Sequence, residues 1–106
     1  MFKAHLNRGF LMTFKNGWTI SVQFGYGNYC GNHHHPDGLD FSIKQDTTTC
    51  PDAEIAIWDE NGVWYDFGND IVKGHCTADQ VADWITRVSK AQKRIVRPRV
   101  KKEKAK

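Results

Sequence analysis

The strongest restriction on the fold comes from an Asn-Gly pair between two stretches in which polar and apolar residues alternate. Such a pair is the strongest short-range signal for a β-hairpin. With a three-residue loop, Lys15-Asn16-Gly17, all the large side chains fall on one face, whereas a two-residue loop mixes polar and apolar residues on both. One buried face fixes the register, so the sequence predicts the three-residue loop. The facing pairs are then Phe14 with Trp18, Met12 with Ile20 and Phe10 with Val22.

A second hairpin of the same design is predicted around Glu60-Asn61-Gly62. A three-residue loop places the apolar residues of both strands on one face and brings Trp58 opposite Trp64 on the other, outer face. The facing pairs on the apolar side are Ile57 with Tyr65 and Ile55 with Phe67. Two hairpins of like design predict a four-stranded antiparallel sheet.

An amphipathic helix is predicted after the hairpins. Thr77 and Gln80 form the capping-box pattern that starts a helix, and Asp79 suits the positive end of the helix dipole. The helix runs from about Ala78 to the low nineties, and Pro98 opposes its continuation. Apolar residues recur at helical spacing on one stripe, namely Val81, Trp84, Ile85 and Val88. Packing of this stripe on the apolar face of the sheet predicts a two-layer α+β domain.

Charge divides the chain into a body and a tail. The 106 residues carry a net charge of +3. Residues 93–106 contain eight basic residues and one acidic residue, whereas residues 1–92 contain seven basic and eleven acidic residues. We therefore expect a single domain over residues 1–92 and a basic tail that is flexible or extends the helix. No apolar run has the length of a membrane span or a signal peptide, which predicts a soluble, non-secreted protein.

A long connection, residues 25–52, separates the hairpins, and connections of this length are uncommon in compact domains unless they are functional or mobile. Most of the soft or borderline metal ligands lie in it; the full set is Cys30, His33, His34, His35, Cys50, His75 and Cys76. Three cysteines cannot all pair within one chain, so a disulfide scaffold is not expected. The Cys30-x-x-His33 spacing suits a zinc-chelating turn, and the candidate ligands are Cys30, His33, His35, Cys50 and Cys76. The alternative is a solvated histidine loop with cysteines that act as small hydrophobic residues.

The basic tail is a candidate nucleic-acid contact. Its cations would bind phosphates without reading sequence, and this binding would fall steeply with salt. The residues that would make the contacts are Lys93, Arg94, Arg97, Arg99, Lys101 and Lys102. The tail has no aromatic residue to stack on a base. The alternative is a solvated tail that aids solubility.

Aromatic residues outside the predicted core form a candidate partner-binding surface. Trp and Tyr are strongly enriched in binding hot spots, and acidic residues beside the second turn suit a basic partner. The predicted contact residues are Tyr26, Tyr29, Trp58, Trp64, Asp59 and Glu60. The alternative is that the 25–52 connection covers the outer face, so that Trp58 and Trp64 form a second small core.

Catalysis has little support in the sequence. A thiolate nucleophile needs a neighbouring base or cation, and the adjacency of His75 and Cys76 does not bring their side chains together. The glycines of residues 25–31 lack the spacing and the following helix of a phosphate-binding loop. We therefore expect no enzyme and no catalytic residue.

Several short runs of the sequence are distinctive. They are residues 14–25, 27–30 and 53–56 with Trp58, then Val72-Lys73-Gly74 and Thr77-Ala78-Asp79-Gln80-Val81. Together they resemble a family of small, uncharacterised proteins encoded by tailed bacteriophages and prophages, over roughly residues 11–90. The resemblance carries no activity and no catalytic residue. It implies a phage accessory protein in the cytoplasm of a host bacterium, where such proteins bind and inhibit or redirect a host factor, including defence systems.

The leading hypothesis is therefore a non-enzymatic protein that binds a host bacterial protein and needs no cofactor or membrane. Two hypotheses remain beside it: a nucleic-acid-associated protein that uses the basic tail, and a small zinc-stabilised module.

Overall fold

The computed structural model describes residues 1–5, 8–33 and 49–92. Five strands form one antiparallel sheet in which each strand pairs with the next along the chain. The strands are β1 (Phe2–His5), β2 (Gly9–Thr13), β3 (Thr19–Gln23), β4 (Asp52–Trp58) and β5 (Lys73–Thr77). Within the described residues one helix, α1 (Ala78–Ser89), follows β5 directly. The predicted α+β class is confirmed.

The first hairpin, β2 and β3, has the predicted register. Its facing pairs include Phe10 with Val22 and Met12 with Ile20. The Phe14 N–H donates to the Trp18 carbonyl oxygen at 2.9 Å and closes the turn. Gly17 has a φ of +92°, a left-handed conformation that glycine adopts without strain. The three-residue loop is therefore confirmed.

The second hairpin begins as predicted. Trp58 and Trp64 face each other through a single β-bridge. The Tyr65 N–H donates to the Ile57 carbonyl oxygen at 2.7 Å. The pairing therefore covers only the residues next to the turn, and the chain then leaves the sheet.

The predicted pairing of Ile55 with Phe67 is wrong, because Ile55 faces Lys73 of β5 instead. The physical reason lies in the Phe67 ring, which packs edge-on against Trp84 of α1 with the ring centroids 5.2 Å apart. This contact with the helix buries part of the Phe67 ring, so the residue does not have to pair in a strand to leave water. The sheet has five strands rather than four, since β1 and β5, which were not predicted, flank β2, β3 and β4.

The helix starts at the predicted capping box. The Gln80 N–H donates to Thr77 Oγ1 at 3.2 Å, and the Thr77 N–H donates to Gln80 Oε1 at 2.8 Å. These bonds satisfy an amide of the first turn that has no partner within the helix. The helix ends at Ser89 with Lys90 as its C-cap, slightly short of the predicted end.

The apolar face of the sheet packs on the stripe of α1, as predicted. The buried residues of this core are Trp18, Ile20, Val22, Ala53, Ile55, Ile57, Cys76, Val81 and Val88. Phe14, Trp84 and Ile85 pack against them. Burial of an aliphatic side chain contributes about 1.5–3 kcal/mol, so this layer is the main source of stability. The opposite side of the sheet, where Trp58 lies, is called the outer face below.

Part of the long connection, residues 34–48, lies outside the described residues. The whole of the predicted basic tail, residues 93–106, lies outside them as well. In the part of the chain that the structure describes, no helix has the length and apolar character needed to cross a membrane.

Candidate functional site

The Trp58 and Trp64 rings stack on the outer face. Their centroids lie 4.9 Å apart and their planes are inclined by 24°. The bridge beside the second turn places the two residues directly opposite each other, where cross-strand side chains interact most closely. Trp58 is half-buried and Trp64 is 38% exposed. The pair therefore presents part of an ordered aromatic surface to solvent.

The turn that carries Trp64 is fixed by the carboxylate of Asp59. Asp59 Oδ1 accepts hydrogen bonds from the N–H groups of Asn61 at 2.8 Å and Val63 at 3.0 Å. The Asp59 N–H in turn donates to the Val63 carbonyl oxygen at 3.0 Å. Such side-chain bonds to the backbone two residues on are the reason that Asp favours turns. Asp59 thus orders the strand end from which Trp64 projects.

Glu60 lies against the first hairpin turn. A Cβ atom added at Gly17 would come within 2.6 Å of Glu60 Oε1, so the two turns are in close contact. Asp59 and Glu60 follow Trp58 directly in the chain, so the turn that joins the two tryptophans carries two acidic residues. We call Trp58, Asp59, Glu60, Val63 and Trp64 the tryptophan patch.

Tyr26 and Tyr29 lie in the loop that follows β3, and both are exposed, by 37% and 50%. Tyr29 is tied to β5, because its carbonyl oxygen accepts from the His75 N–H at 2.9 Å. Asn28 Nδ2 donates to Glu54 Oε1 of β4 at 3.1 Å. The loop is therefore pinned to the outer side of the sheet where β4 begins.

The structure does not bring the six predicted contact residues together. The loop with Tyr26 and Tyr29 lies near Asp52 at the start of β4, whereas Trp58 is the last residue of that strand. A strand rises about 3.3 Å per residue, so these ends are roughly 20 Å apart. The predicted surface is therefore two separate patches, the tryptophan patch and the tyrosine loop.

The middle of the outer face is buried between these patches. Thr19 is 5% and Ser21 8% exposed. Their hydroxyl groups are paired, Thr19 Oγ1 with Thr13 Oγ1 at 2.8 Å and Ser21 Oγ with Gln23 Nε2 at 3.1 Å. The described part of the long connection covers one end of this face, and residues 34–48 lie outside the description. The alternative of a second small core under the 25–52 connection therefore stays open: the middle of the face is buried, whereas Trp64 is 38% exposed.

A second cluster lies where β4 begins. Cys30 Sγ, Cys50 Sγ and a carboxylate oxygen of Asp52 all lie within 4.8 Å of one another. Cys30 is 2% exposed, whereas Cys50 and Asp52 are half-buried. Two sulfur ligands and one oxygen ligand make a donor set that suits zinc.

Only two of the predicted metal ligands belong to this cluster of described residues. Cys76 is buried on the inner face opposite Ala53, with its thiol toward the Lys73 carbonyl oxygen at 3.7 Å. His33 Nδ1 lies 2.8 Å from the Asn28 carbonyl oxygen. His33 is therefore not part of this cluster, and His35 lies outside the described residues.

Asp52 was missed by the sequence analysis. Its Oδ1 accepts from the Gly31 N–H at 2.7 Å and lies 3.6 Å from Cys50 Sγ, and its Oδ2 lies 3.0 Å from His75 Nδ1. The hydrogen bonds from His75 and from the Gly31 N–H lower the pKa of this carboxyl group. Residues two apart in an extended segment point to the same side, so the Cys50-Pro51-Asp52 spacing was a readable signal.

Cys30 is held as a neutral thiol. Burial raises its pKa to about 11, and the Cys50 thiol and the Asp52 carboxylate act in the same direction, although the Asn32 N–H opposes them. A thiol with a raised pKa is a poor nucleophile near neutral pH. Without a bound cation, Cys30 is therefore not suited to nucleophilic attack.

The predicted nucleic-acid residues lie outside the described part of the chain. They are Lys93, Arg94, Arg97, Arg99, Lys101 and Lys102. Their role stays a prediction from the sequence.

Comparisons of the chain with protein-family models, with curated proteins and with solved structures find no match. Any function assigned to the tryptophan patch or to the cysteine cluster must therefore be argued from the geometry above.

Proposed function

We propose that the protein is a non-enzymatic binding protein and that the tryptophan patch is its contact with a protein partner. The observation that supports this most strongly is the stacked pair of Trp58 and Trp64, of which Trp64 is 38% exposed. The pair lies on a turn whose backbone is fixed by Asp59. An ordered and partly exposed aromatic pair is unusual on a surface that has no contact to make.

The energetics favour such a pair as an anchor. Trp has only two side-chain torsions, so its large contact area is gained at a low entropic cost. Stacking against Trp58 restricts the Trp64 ring further before any partner arrives, and a pre-ordered side chain loses less freedom on binding. Residues of this kind, when central to an interface, contribute about 2 kcal/mol or more.

The charge around the patch favours a basic partner. Asp59 and Glu60 lie in the turn between the two tryptophans, and Asp66 and Asp70 follow in the same segment. Asp66 Oδ1 and Asp70 Oδ1 each accept a backbone N–H, from Gly68 and Ile71 at 2.7 Å, which fixes these carboxylates in place. A fixed negative rim steers a positively charged surface toward the patch and raises the association rate.

The resemblance to phage-encoded proteins supports a more specific proposal. The partner is a host bacterial protein in the host cytoplasm, which the bound phage protein inhibits or redirects. The exposed area of the patch, rather than any catalytic group, would then carry the activity by covering a surface that the host protein needs.

Affinity capture from a bacterial lysate, with and without nuclease, tests this function. The full chain with a histidine-free tag is compared with Trp64→Ala and with the matched control Phe2→Ala. Phe2 is 76% exposed on β1, at the far edge of the sheet, so its removal alters an exposed aromatic residue outside the patch. Quantitative mass spectrometry then measures each captured protein.

The proposal predicts that one host protein is captured with or without nuclease. Its captured amount should fall roughly thirtyfold or more with Trp64→Ala and stay unchanged with Phe2→Ala. The proposal is contradicted if no captured protein depends on Trp64. If all capture disappears with nuclease and on truncation after Gln92, the nucleic-acid hypothesis replaces it.

A further inference from the structure

We propose that Cys30, Cys50 and Asp52 bind a zinc ion, with His75 as the residue that orients the Asp52 ligand. This site lies at the start of β4 and is independent of the tryptophan patch. The three ligand atoms lie within 4.8 Å of one another, and they come from a loop, from the residues before β4 and from the strand itself.

The distance between two of the three ligand atoms matches tetrahedral zinc. Zinc bonds are about 2.3 Å to sulfur and about 2.1 Å to oxygen, so two such ligands in a tetrahedron lie about 3.6 Å apart. Cys50 Sγ and Asp52 Oδ1 are 3.6 Å apart. This pair is therefore already at the separation that two ligands of one zinc ion require.

The chain orders both sides of the Asp52 carboxylate. The Gly31 N–H donates to Oδ1 at 2.7 Å and His75 Nδ1 lies 3.0 Å from Oδ2. Carboxylate ligands of metal ions are usually held by such partners, which fix their direction. A Cβ atom at Gly31 would lie 3.2 Å from Cys50 Sγ, so a larger residue there would crowd the sulfur ligand.

His75 is held in a strained backbone conformation beside this carboxylate. With a φ of +51°, it is the one non-glycine residue of the described chain in the left-handed region. Its N–H donates to the Tyr29 carbonyl oxygen at 2.9 Å, one residue before Cys30. Strain of this kind persists at sites where the surrounding structure imposes it, and such sites are often functional. Here it places the imidazole against Asp52 Oδ2.

A cation would neutralise the negative charge of the ligand groups. The site gathers one carboxylate and two thiols that become thiolates when a metal binds, and three negative groups at this distance repel one another without a cation. Zinc binds thiolates, so binding would release the thiol protons. Three protein ligands would leave the fourth position of a tetrahedral zinc ion to a water molecule.

The ion would link the two ends of the long connection. Cys30 precedes residues 31–49 and Cys50 follows them, so a metal bond between the cysteines closes this loop. Loop closure by a metal restricts the unfolded chain and stabilises the folded one. The site would then set the position of the tyrosine loop on β4.

Metal binding to the reduced, untagged full chain tests the site. His34→Asn and His35→Asn are introduced together, because a run of histidines binds zinc adventitiously. Native mass spectrometry counts zinc per chain, competition with a chromogenic chelator gives the affinity, and Co²⁺ replaces zinc as a spectroscopic probe. We expect one ion per chain and a thiolate-to-cobalt charge-transfer band of the intensity of two thiolates.

Four variants of this chain locate the ligands. Cys50→Ser and Asp52→Asn alter half-buried residues and are expected to weaken zinc binding by roughly a hundredfold or more, while His75→Ala weakens it by roughly ten- to a hundredfold. His33→Ala is the control and leaves the affinity within about twofold, because its ring bonds to Asn28. Cys50→Ser also halves the charge-transfer intensity.

The proposal is overturned if the reduced chain holds no stoichiometric zinc. It is equally overturned if Cys50→Ser and Asp52→Asn bind as tightly as the parent, or if the cobalt complex lacks the thiolate band. A reduced chain that takes up no ion and forms a Cys30–Cys50 disulfide in air would also overturn it, and would assign a redox role to the pair instead. None of these outcomes bears on Trp64, so this test and that of the tryptophan patch fail separately.

Discussion

The side chain of Asn16 is hydrogen-bonded to the carbonyl oxygen of Val88, 72 positions further along the chain, with Nδ2 at 2.8 Å. The same nitrogen donates to the Ala91 carbonyl oxygen at 2.8 Å, and Asn16 Oδ1 accepts from the Trp18 N–H at 3.0 Å. The last carbonyl groups of a helix have no partner within it. The first hairpin turn therefore caps the end of α1 and ties the helix to the hairpin.

Replacement of Asn16 tests this cap. Asn16→Ala removes two 2.8 Å bonds, one to the Val88 carbonyl in the last turn of α1 and one to the Ala91 carbonyl just beyond it, and should lower the free energy of unfolding by about 1–2 kcal/mol in urea titration. Asn61→Ala is the matched control, because Asn61 has the same place in the second turn and is exposed; its effect should stay within about 0.5 kcal/mol. Equal effects of the two substitutions on the free energy of unfolding would show that Asn16 does not stabilise the end of α1.

Two tryptophans distinguish the inner face from the outer face. Trp18 is 1% exposed in the core, so Trp18→Ala should lower the free energy of unfolding by roughly 3–5 kcal/mol. Trp64→Ala loses its stacking with Trp58 and the contacts of a partly buried ring, and should cost less, about 1–2 kcal/mol. Urea unfolding followed by far-UV circular dichroism measures both. If Trp64→Ala destabilised the protein as much as Trp18→Ala, the tryptophan patch would be a second core rather than a contact surface.

The three cysteines should differ in reactivity. Cys30 and Cys76 are 2% and 1% exposed, and burial raises the pKa of both thiols. The thiolate is the reactive form, so iodoacetamide should label the half-buried Cys50 at least about tenfold faster than either in the reduced, metal-free chain. Peptide mass spectrometry over time gives the three rates. Equal rates in the folded protein would contradict the burial of Cys30 and Cys76.

Gly74 leaves room for the tyrosine loop. A Cβ atom at this position would lie 2.7 Å from the Tyr29 Cβ and 3.0 Å from its carbonyl oxygen. Gly74→Ala should therefore displace the loop from β5 and lower the free energy of unfolding by about 1–3 kcal/mol. Lys73→Ala, at an exposed neighbour in the same strand, is the control and should be close to neutral. A stable Gly74→Ala protein with unchanged amide exchange at His75 would disprove the close approach.

Local patterns were sufficient for the first hairpin and the helix. The Asn16-Gly17 turn fixes its own register because only one loop length puts all the large side chains on one face, and the structure has that register. The capping box at Thr77 likewise marks the helix start from four adjacent residues. These features depend on contacts close in sequence.

Contacts distant in sequence account for the failures. β5 contains Gly74 and lacks the alternation of a typical strand, and its place beside β4 is decided by packing rather than by strand propensity. Phe67 was assigned to a strand because its spacing fits one, but its ring packs on α1. His75 reaches Asp52 only after β5 has paired with β4, so no local pattern indicates that pair.

Photo-crosslinking at Val63 tests the central claim, that the tryptophan patch is a protein contact, most directly. Val63 is 38% exposed and directly precedes Trp64 in the chain, so a benzophenone amino acid at this position leaves both tryptophans in place. In irradiated bacterial cells, the account predicts one covalent adduct with a host protein from position 63, none from the same amino acid at Phe2, and loss of the adduct when Trp64→Ala is added. No adduct from position 63, or one that persists with Trp64→Ala, would contradict it.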